Sequence, residues 1–248
     1  MDAARRDCDD MARLFGPQDA SVYRAVLLYR TGQPQQAIDL LQGLVGAANF
    51  QDASSQDWLG FHLGEALRVA GQPARAIAVW DKQLKASPQS HLLRLSLAEL
   101  LNQQAQYLQA QKIAATQAPS DALLMQSLLA SRGLKDGNEA RLAALLDARI
   151  TSQAQRQESL IERPRLIYLI AYGKDPAAGL ALSIDNWKLQ KEPPDAVLFA
   201  QAALALNQPR TAEPVVAWAE KTAYTDPQLK PLIAQLKAHP RWSTGSSK

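Results

Sequence analysis

The residues that most often carry out catalysis or hold metals are few in this chain and widely separated. The sequence has three histidines and one cysteine, which stand at His62, His91, His239 and Cys8. No histidine belongs to a helical zinc pattern such as H-E-x-x-H. One cysteine cannot form an internal disulfide, and we expect Cys8 to be an exposed thiol in a polar N-terminal stretch. The spacing therefore predicts no metal site.

Signatures of nucleotide binding and of an activated nucleophile are also missing from the sequence. There is no P-loop, no G-x-G-x-x-G and no G-x-S-x-G. The acid pairs Asp9–Asp10 and Glu158–Glu162 are interpreted as solvated carboxylates on polar surfaces. His62, which precedes Leu63 on an apolar segment, is interpreted as a hydrogen-bonded structural residue. We therefore expect no enzymatic activity and no cofactor.

Aromatic side chains offer a different chemistry, because large rings anchor protein partners as well as cores. Trp80, Trp187 and Trp218 stand in apolar company and are predicted to pack in the core. Trp58 follows a polar stretch and opens a segment whose apolar positions are already filled. We therefore expect the Trp58 ring to contact a partner, or alternatively to pack against a neighbouring helix pair.

Composition favours helices as the elements that hold these side chains. The 248 residues include only 12 glycines and 6% aromatics, while Ala, Leu and Gln are abundant. A net charge of +3 is too small to predict nucleic-acid binding. No apolar run reaches the length of about 20 residues that a membrane span needs. The first ten residues contain no apolar signal-peptide core, so we expect either an exported, periplasmic protein whose signal was removed or a cytoplasmic one.

One phrase is repeated and predicts how the helices are joined. "GQPQQAI" begins at Gly32, "GQPARAI" begins at Gly71, and "NQPRTAE" begins at Asn207. Glycine closes a helix by taking a left-handed conformation, and proline opens the next helix with its φ already set. We therefore predict a positive φ at Gly71 and a helical hairpin around each phrase.

Hydrophobic spacing extends these corners into about six hairpins and a final helix, with no period-two segment that would predict a strand. The predicted helix pairs are 20–31/34–46, 56–70/73–86, 90–103/106–117, 120–132/137–152, 163–172/175–190 and 195–206/209–223, followed by a capping helix at 227–238. Residues 1–19 and 239–248 are predicted to be flexible or disordered tails.

The second hairpin resembles a tetratricopeptide repeat, a helix–turn–helix unit of 34 residues. Leu63-Gly64 matches the L-G pair of that repeat, Ala76 and Trp80 match A-x3-F, and Pro88 matches the closing proline. The hairpins before and after it follow in approximate register through Gly32, Ala37 and Leu41 and through Ala98, Ala110, Ala114 and Pro119. Gly60, Leu67 and Gln83 depart from the pattern. The resemblance is good over residues 20–119 and degenerate over 120–238, where the phrases between Tyr168 and Ala223 resemble bacterial, exported repeat proteins.

This resemblance implies an all-α fold, a right-handed α-solenoid that buries its apolar faces by stacking hairpins. It also implies a protein or peptide partner in a concave groove lined by the first helix of each hairpin. By register, the groove residues are Tyr29, Arg30, Trp58, Glu65, Arg68, Glu99, Asn102 and Gln103.

A second candidate surface lies in the degenerate half of the chain. Arg165, Tyr168 and Tyr172 are spaced i, i+3 and i+7 and share one helix face. This face is either a second contact patch or a hairpin interface with tyrosine hydroxyls at its edge. The expected function is a non-catalytic protein-interaction scaffold. The alternative is an assembly module of a larger exported machine that binds through its convex face or its ends.

Overall fold

The structure, a computed structural model, describes residues 10, 13–14, 16–47, 50, 52–156 and 163–243. Helices account for 78% of it, and none of the described residues lies in a strand. The predicted all-α class is therefore confirmed. The predictions for Cys8, for Asp9, for Glu158 and for Glu162 concern residues outside the described ranges, as do those for residues 1–9 and 244–248.

The helices follow one another with short connections. In chain order they are α1 (Pro17–Arg30), α2 (Pro34–Leu44), α3 (Ala53–Val69), α4 (Pro73–Ala86), α5 (His91–Gln103), α6 (Tyr107–Ala114), α7 (Asp121–Leu134), α8 (Glu139–Gln155), α9 (Arg163–Ile170), α10 (Pro176–Leu189), α11 (Pro193–Ala205), a 3-10 turn (Pro209–Ala212), α12 (Glu213–Thr222), α13 (Leu229–Ala238) and the short α14 (Pro240–Ser243).

The helix boundaries lie within about three residues of the predicted ones. Proline opens α2 and α4, as the repeated phrase predicts, and it also opens α10 and α11. The predicted helix at residue 209 begins instead as a 3-10 turn, and α12 starts only at Glu213. Pro214 explains the difference, because it has no N–H to donate to a carbonyl four residues earlier in an α-helix. Residues Pro240–Ser243, which lie in the predicted C-terminal tail, are helical.

Glycine closes the first helix of the first two hairpins with the predicted left-handed conformation. Gly32 has φ 78° and Gly71 has φ 73°. In each turn the next residue, Gln33 or Gln72, donates its backbone N–H to a carbonyl five residues earlier, at 2.9 Å. This 6→1 hydrogen bond is the one that ends a helix in the Schellman motif, so the repeated phrase is a helix stop followed by a helix start.

The same turn recurs later in the chain without glycine. Ala105 has φ 55° and Asn207 has φ 59°. Gln106 donates its N–H to Leu101 at 2.8 Å, and Gln208 donates to its own 6→1 acceptor at 2.8 Å. The corner therefore forms even where alanine or asparagine must take the left-handed conformation that glycine adopts without strain.

The described chain divides into two units. The first unit comprises residues 1–100 and 219–227, and the second comprises residues 101–218 and 228–248. The division falls inside α5 and inside α12. The short segment 219–227 belongs to the first unit although more than a hundred residues separate it from the remainder of that unit.

The core of the first unit depends on close contact between α3 and α4 at Gly64. Trp80 is fully buried, as predicted, and its Nε1–H donates to the carbonyl of Phe61 at 3.2 Å. A Cβ atom on Gly64 would lie 2.0 Å from Trp80 Nε1, so only glycine admits the ring. One turn earlier a Cβ on Gly60 would lie 3.1 Å from Gln83 Cγ. The two departures from the repeat pattern thus face each other, with the smaller residue opposite the larger one.

The second unit has its own apolar core. It is formed by residues of α7, α8 and α9, namely Leu124, Met125, Leu128, Leu142, Leu146 and Tyr168. Gly133 allows the ring of Tyr107 to approach α7, since an added Cβ would lie 2.5 Å from that ring. Trp187 is buried and meets the half-buried Trp218 edge-on, with ring centroids 5.5 Å apart. Both tryptophans therefore pack within this unit, as predicted.

Candidate partner-binding site

Trp58 lies in a cluster of rings formed by the first helices of the first two hairpins and by Phe50, which precedes α3. Its ring centroid is 5.1 Å from that of Tyr23 on α1, 6.4 Å from that of Phe50 and 5.5 Å from that of His62. Phe50 is buried and Trp58 is half-buried, whereas Tyr23 is 40% exposed. We call these four rings the aromatic cluster. It combines internal packing at Phe50 with a ring surface open to solvent at Tyr23.

Beside this cluster, Tyr29 and His62 form a neutral hydrogen-bonded pair. The Tyr29 hydroxyl lies 3.1 Å from His62 Nδ1, and the tyrosine is buried. Burial lowers the pKa of His62 to about 4 and raises the pKa of Tyr29 above its usual value. The imidazole is therefore uncharged at neutral pH and structural in character, as predicted for His62.

Glu65 and Arg68 face the segment 219–227 at the C-terminal end of α3. Arg68 Nε and Nη2 each donate to a Glu65 carboxylate oxygen at 3.1 Å, and Nη1 donates to Asp226 Oδ2 at 2.7 Å. The hydroxyl of Tyr224 donates to the same Asp226 oxygen at 3.0 Å. Arg68 is 15% exposed and Asp226 is 3% exposed. We call Glu65 and Arg68 the acid-binding pair, because Arg68 Nη1, which does not contact Glu65, donates to the carboxylate of a third residue.

Segment 219–227 also approaches both repeated turns. A Cβ atom on Gly32 would lie 2.4 Å from the carbonyl oxygen of Ala223. Only glycine at position 32 therefore allows the backbone of this segment to come so close to the first turn. At the second turn a Cβ on Gly71 would lie 3.9 Å from Pro227 Cγ, an ordinary contact. The segment therefore lies across the corners of both hairpins.

The remaining predicted groove residues are distributed over both units. Arg30 is exposed and Glu99 is half-buried in the first unit. Asn102 and Gln103 belong to the second unit. Asn102 Nδ2 donates to the backbone and side-chain carbonyl oxygens of Gln126 at 3.0 Å, whereas Gln103 is exposed. The structure thus brings together Tyr29, Trp58, Glu65 and Arg68 of the predicted set, and the binding role of the whole set stays a prediction.

The second predicted surface is partly a packed interface. The rings of Tyr168 and Tyr172 stack with centroids 5.2 Å apart at 11°, and Tyr168 is buried in the core of the second unit. Burial and the nearby Asp147 carboxylate raise the pKa of Tyr168 to about 12. Arg132 covers the Tyr172 ring at 4.9 Å, and Arg165 is half-buried. This arrangement is the one expected for a hairpin interface with a tyrosine at its edge.

Sequence reasoning missed four residues of this region, Tyr23, Phe50, Tyr224 and Asp226. Tyr23 lies on α1 and was not distinguished from other exposed helix positions. Tyr224 and Asp226 lie between the predicted helices 209–223 and 227–238, in the stretch "AYTDP". The signal available was an aromatic residue and an acid at alternate positions of a stretch without helical spacing.

The described residues contain neither a metal-binding cluster nor a helix suited to span a membrane. No group of three or more His, Cys, Asp and Glu side chains in those ranges is placed to hold a metal ion. No helix in the described part of the chain has both the length and the apolar character needed to cross a membrane.

The fold is similar to that of a solved repeat protein. One match is the crystal structure, at 2.39 Å resolution, of a tetratricopeptide repeat protein from Parabacteroides merdae ATCC 43184, with a TM-score of 0.53 and 14% sequence identity over 93% of this chain and 90% of that chain. No family model and no curated protein matches the sequence. At this identity the likeness concerns the fold, and it confirms that the chain has a tetratricopeptide-repeat-like architecture.

Proposed function

We propose that this chain is a non-catalytic scaffold for protein–protein interaction, and that its first unit binds a partner segment over the aromatic cluster. Stacked helix hairpins of this fold typically present extended surfaces to protein partners. The observation that carries the proposal is the exposed ring of Tyr23, which rests on the half-buried ring of Trp58.

The cluster has the composition of an interface anchor. Tyrosine and tryptophan dominate binding hot spots because they bury much area for little lost conformational freedom. Here Phe50 and His62 hold the Trp58 ring from within the fold, so the ring is positioned before a partner arrives. A positioned ring costs less entropy to bury than a free one.

Binding, and not acid–base chemistry, is what these groups support. His62, the histidine of the cluster, has a pKa near 4 because of burial, and its Nδ1 already lies within hydrogen-bond distance of Tyr29. A base of such low pKa is a poor match for catalysis at neutral pH.

The test compares two surface variants in binding to a partner identified by pull-down and then purified. Tyr23→Ser should weaken binding at least fivefold, since truncating an anchor ring typically costs 1 kcal/mol or more. Leu189→Ser is the matched control, because Leu189 is 76% exposed and belongs to the other unit. Equal affinity of wild type and Tyr23→Ser, or an equal loss in both variants, would contradict the proposal.

A further inference from the structure

Residues 223–227 lie on the first unit in the manner of a bound peptide. Tyr224 and Asp226 are buried, while Ala223, Thr225 and Pro227 between and beside them are exposed. Ala223 ends α12 in a left-handed conformation with φ 53°, and the Tyr224 N–H donates to the Ala219 carbonyl at 3.1 Å. In the short connection that follows, the side chains of Tyr224 and Asp226 are inserted while Thr225 faces solvent. Recognition modules hold peptide ligands in this way, with pockets for alternate side chains.

The surface beneath this segment has a donor suited to a carboxylate. Glu65 accepts from the Nε and Nη2 atoms of Arg68, which fixes the plane of the guanidinium. The Nη1 donor is directed at Asp226 at 2.7 Å. Glu65 also neutralises the arginine, so the charge of Arg68 remains compensated when Asp226 leaves, and departure does not strand an isolated buried cation.

We propose that the acid-binding pair is a recognition site for peptide segments that carry a tyrosine two residues before an aspartate, and that this chain's own residues 223–227 occupy it. A partner segment of the same chemistry binds by replacing them. This inference rests on the proposed function, because it names the chemistry of a segment that the first unit accepts.

Tethering determines which segment holds the site. Residues 223–227 connect α12, which ends at Thr222, to α13, which begins at Leu229, so this internal ligand is held beside the site by the chain itself and a free peptide must displace it. A free peptide with the same contacts therefore binds wild type only weakly and binds well once the internal copy is weakened. The double variant Tyr224→Ser/Asp226→Asn removes the two inserted groups and leaves the acid-binding pair intact.

The experiment measures fluorescence anisotropy of a labelled, end-capped peptide with the sequence of residues 220–228, "EKTAYTDPQ". We expect the double variant to bind it at least tenfold more tightly than wild type does. The same peptide with asparagine at the aspartate position should bind at least tenfold more weakly, as should the double variant that also carries Arg68→Lys, since lysine lacks the planar fork.

Equal binding of the aspartate and asparagine peptides, or no binding to the folded double variant, would overturn the inference. If the double variant does not fold, native-state hydrogen exchange of the wild-type protein provides a second test. We expect the amides of residues 223–226 and 228 to exchange at least tenfold faster than those of residues 59–67 in α3, and equal rates would exclude a displaceable segment.

The two proposals fail separately. Peptide binding to the acid-binding pair is measured without any partner, whereas the role of the aromatic cluster is measured through Tyr23. If the peptide failed to bind the double variant while Tyr23→Ser still weakened partner binding, only the inference about residues 223–227 would be refuted.

Discussion

Replacing Gly64 by alanine tests the close approach that defines the second hairpin. The added methyl would lie 2.0 Å from Trp80 Nε1 and 2.3 Å from Cε2, both far inside contact distance. Trp80 is fully buried and cannot swing into solvent, so either the ring or α3 must shift. Overpacking of this kind costs about 1–3 kcal/mol. A displaced indole that loses its acceptor at Phe61 costs a further amount of about 1–3 kcal/mol.

The opposing contribution is the helix propensity of alanine, which favours the variant by about 1 kcal/mol. The net expectation for Gly64→Ala is therefore a loss of about 1–5 kcal/mol in the free energy of unfolding. Gly43→Ala is the matched control, because Gly43 is also helical and has no heavy atom within 4 Å of an added Cβ. That variant should be as stable as wild type or more stable, by up to about 1 kcal/mol.

Urea unfolding monitored by far-ultraviolet circular dichroism measures both variants. A double-mutant cycle with Trp80→Leu separates the clash from other effects, because a smaller residue at position 80 should reduce the cost of Gly64→Ala. The reasoning would be refuted if Gly64→Ala and Gly43→Ala had the same midpoint, or if the cycle showed no coupling.

Three further predictions concern the same unit. Trp80→Ala should lower the free energy of unfolding by about 3–5 kcal/mol through a cavity, measurable as a lower urea midpoint. Gly71→Val should lower the free energy of unfolding because valine is strained at the positive φ of 73°. A clash is not the cause, since an added Cβ would meet only Pro227, at 3.9 Å, and wild-type stability of Gly71→Ala or Gly71→Val in urea unfolding would contradict this prediction. The pKa of His62 is lowered by burial to about 4, so the unfolded chain takes up a proton first and stability falls as pH drops from about 6.5 towards 4, by at most about 3 kcal/mol. His62→Gln should remove this loss in urea titrations at pH 7 and pH 5.

Local features of the fold were predictable because neighbours in sequence determine them. The turn at Gly71 and the burial of Trp80 both arise within one hairpin, where spacing and turn chemistry are informative. The corner at Ala105 was less evident, because alanine carries no signal for a left-handed conformation.

The candidate site was less predictable because its contacts are distant in sequence. Trp58 was expected to be surplus to packing because Leu63 and Leu67 fill the core, and both are buried. The helix α3 has another neighbour, however, and Tyr23 of α1 covers part of the ring. Helical periodicity describes the width of an apolar face only approximately, so it does not show which border residues will find a partner within the fold.

The position of Asp226 in the chain has a consequence for biosynthesis. Arg68 and Asp226 are separated by 158 residues, so the ribosome completes the first four helices long before it adds the carboxylate that pairs with Arg68. Domains generally begin to fold during synthesis, at about 5–20 residues per second. Before residue 226 emerges, Arg68 has Glu65 but not Asp226 as a carboxylate partner. In that interval the turns at Gly32 and Gly71 also lack the segment that lies across them. The nascent first unit therefore passes through a stage in which its acid-binding pair is open, and synthesis of "AYTDP" closes it.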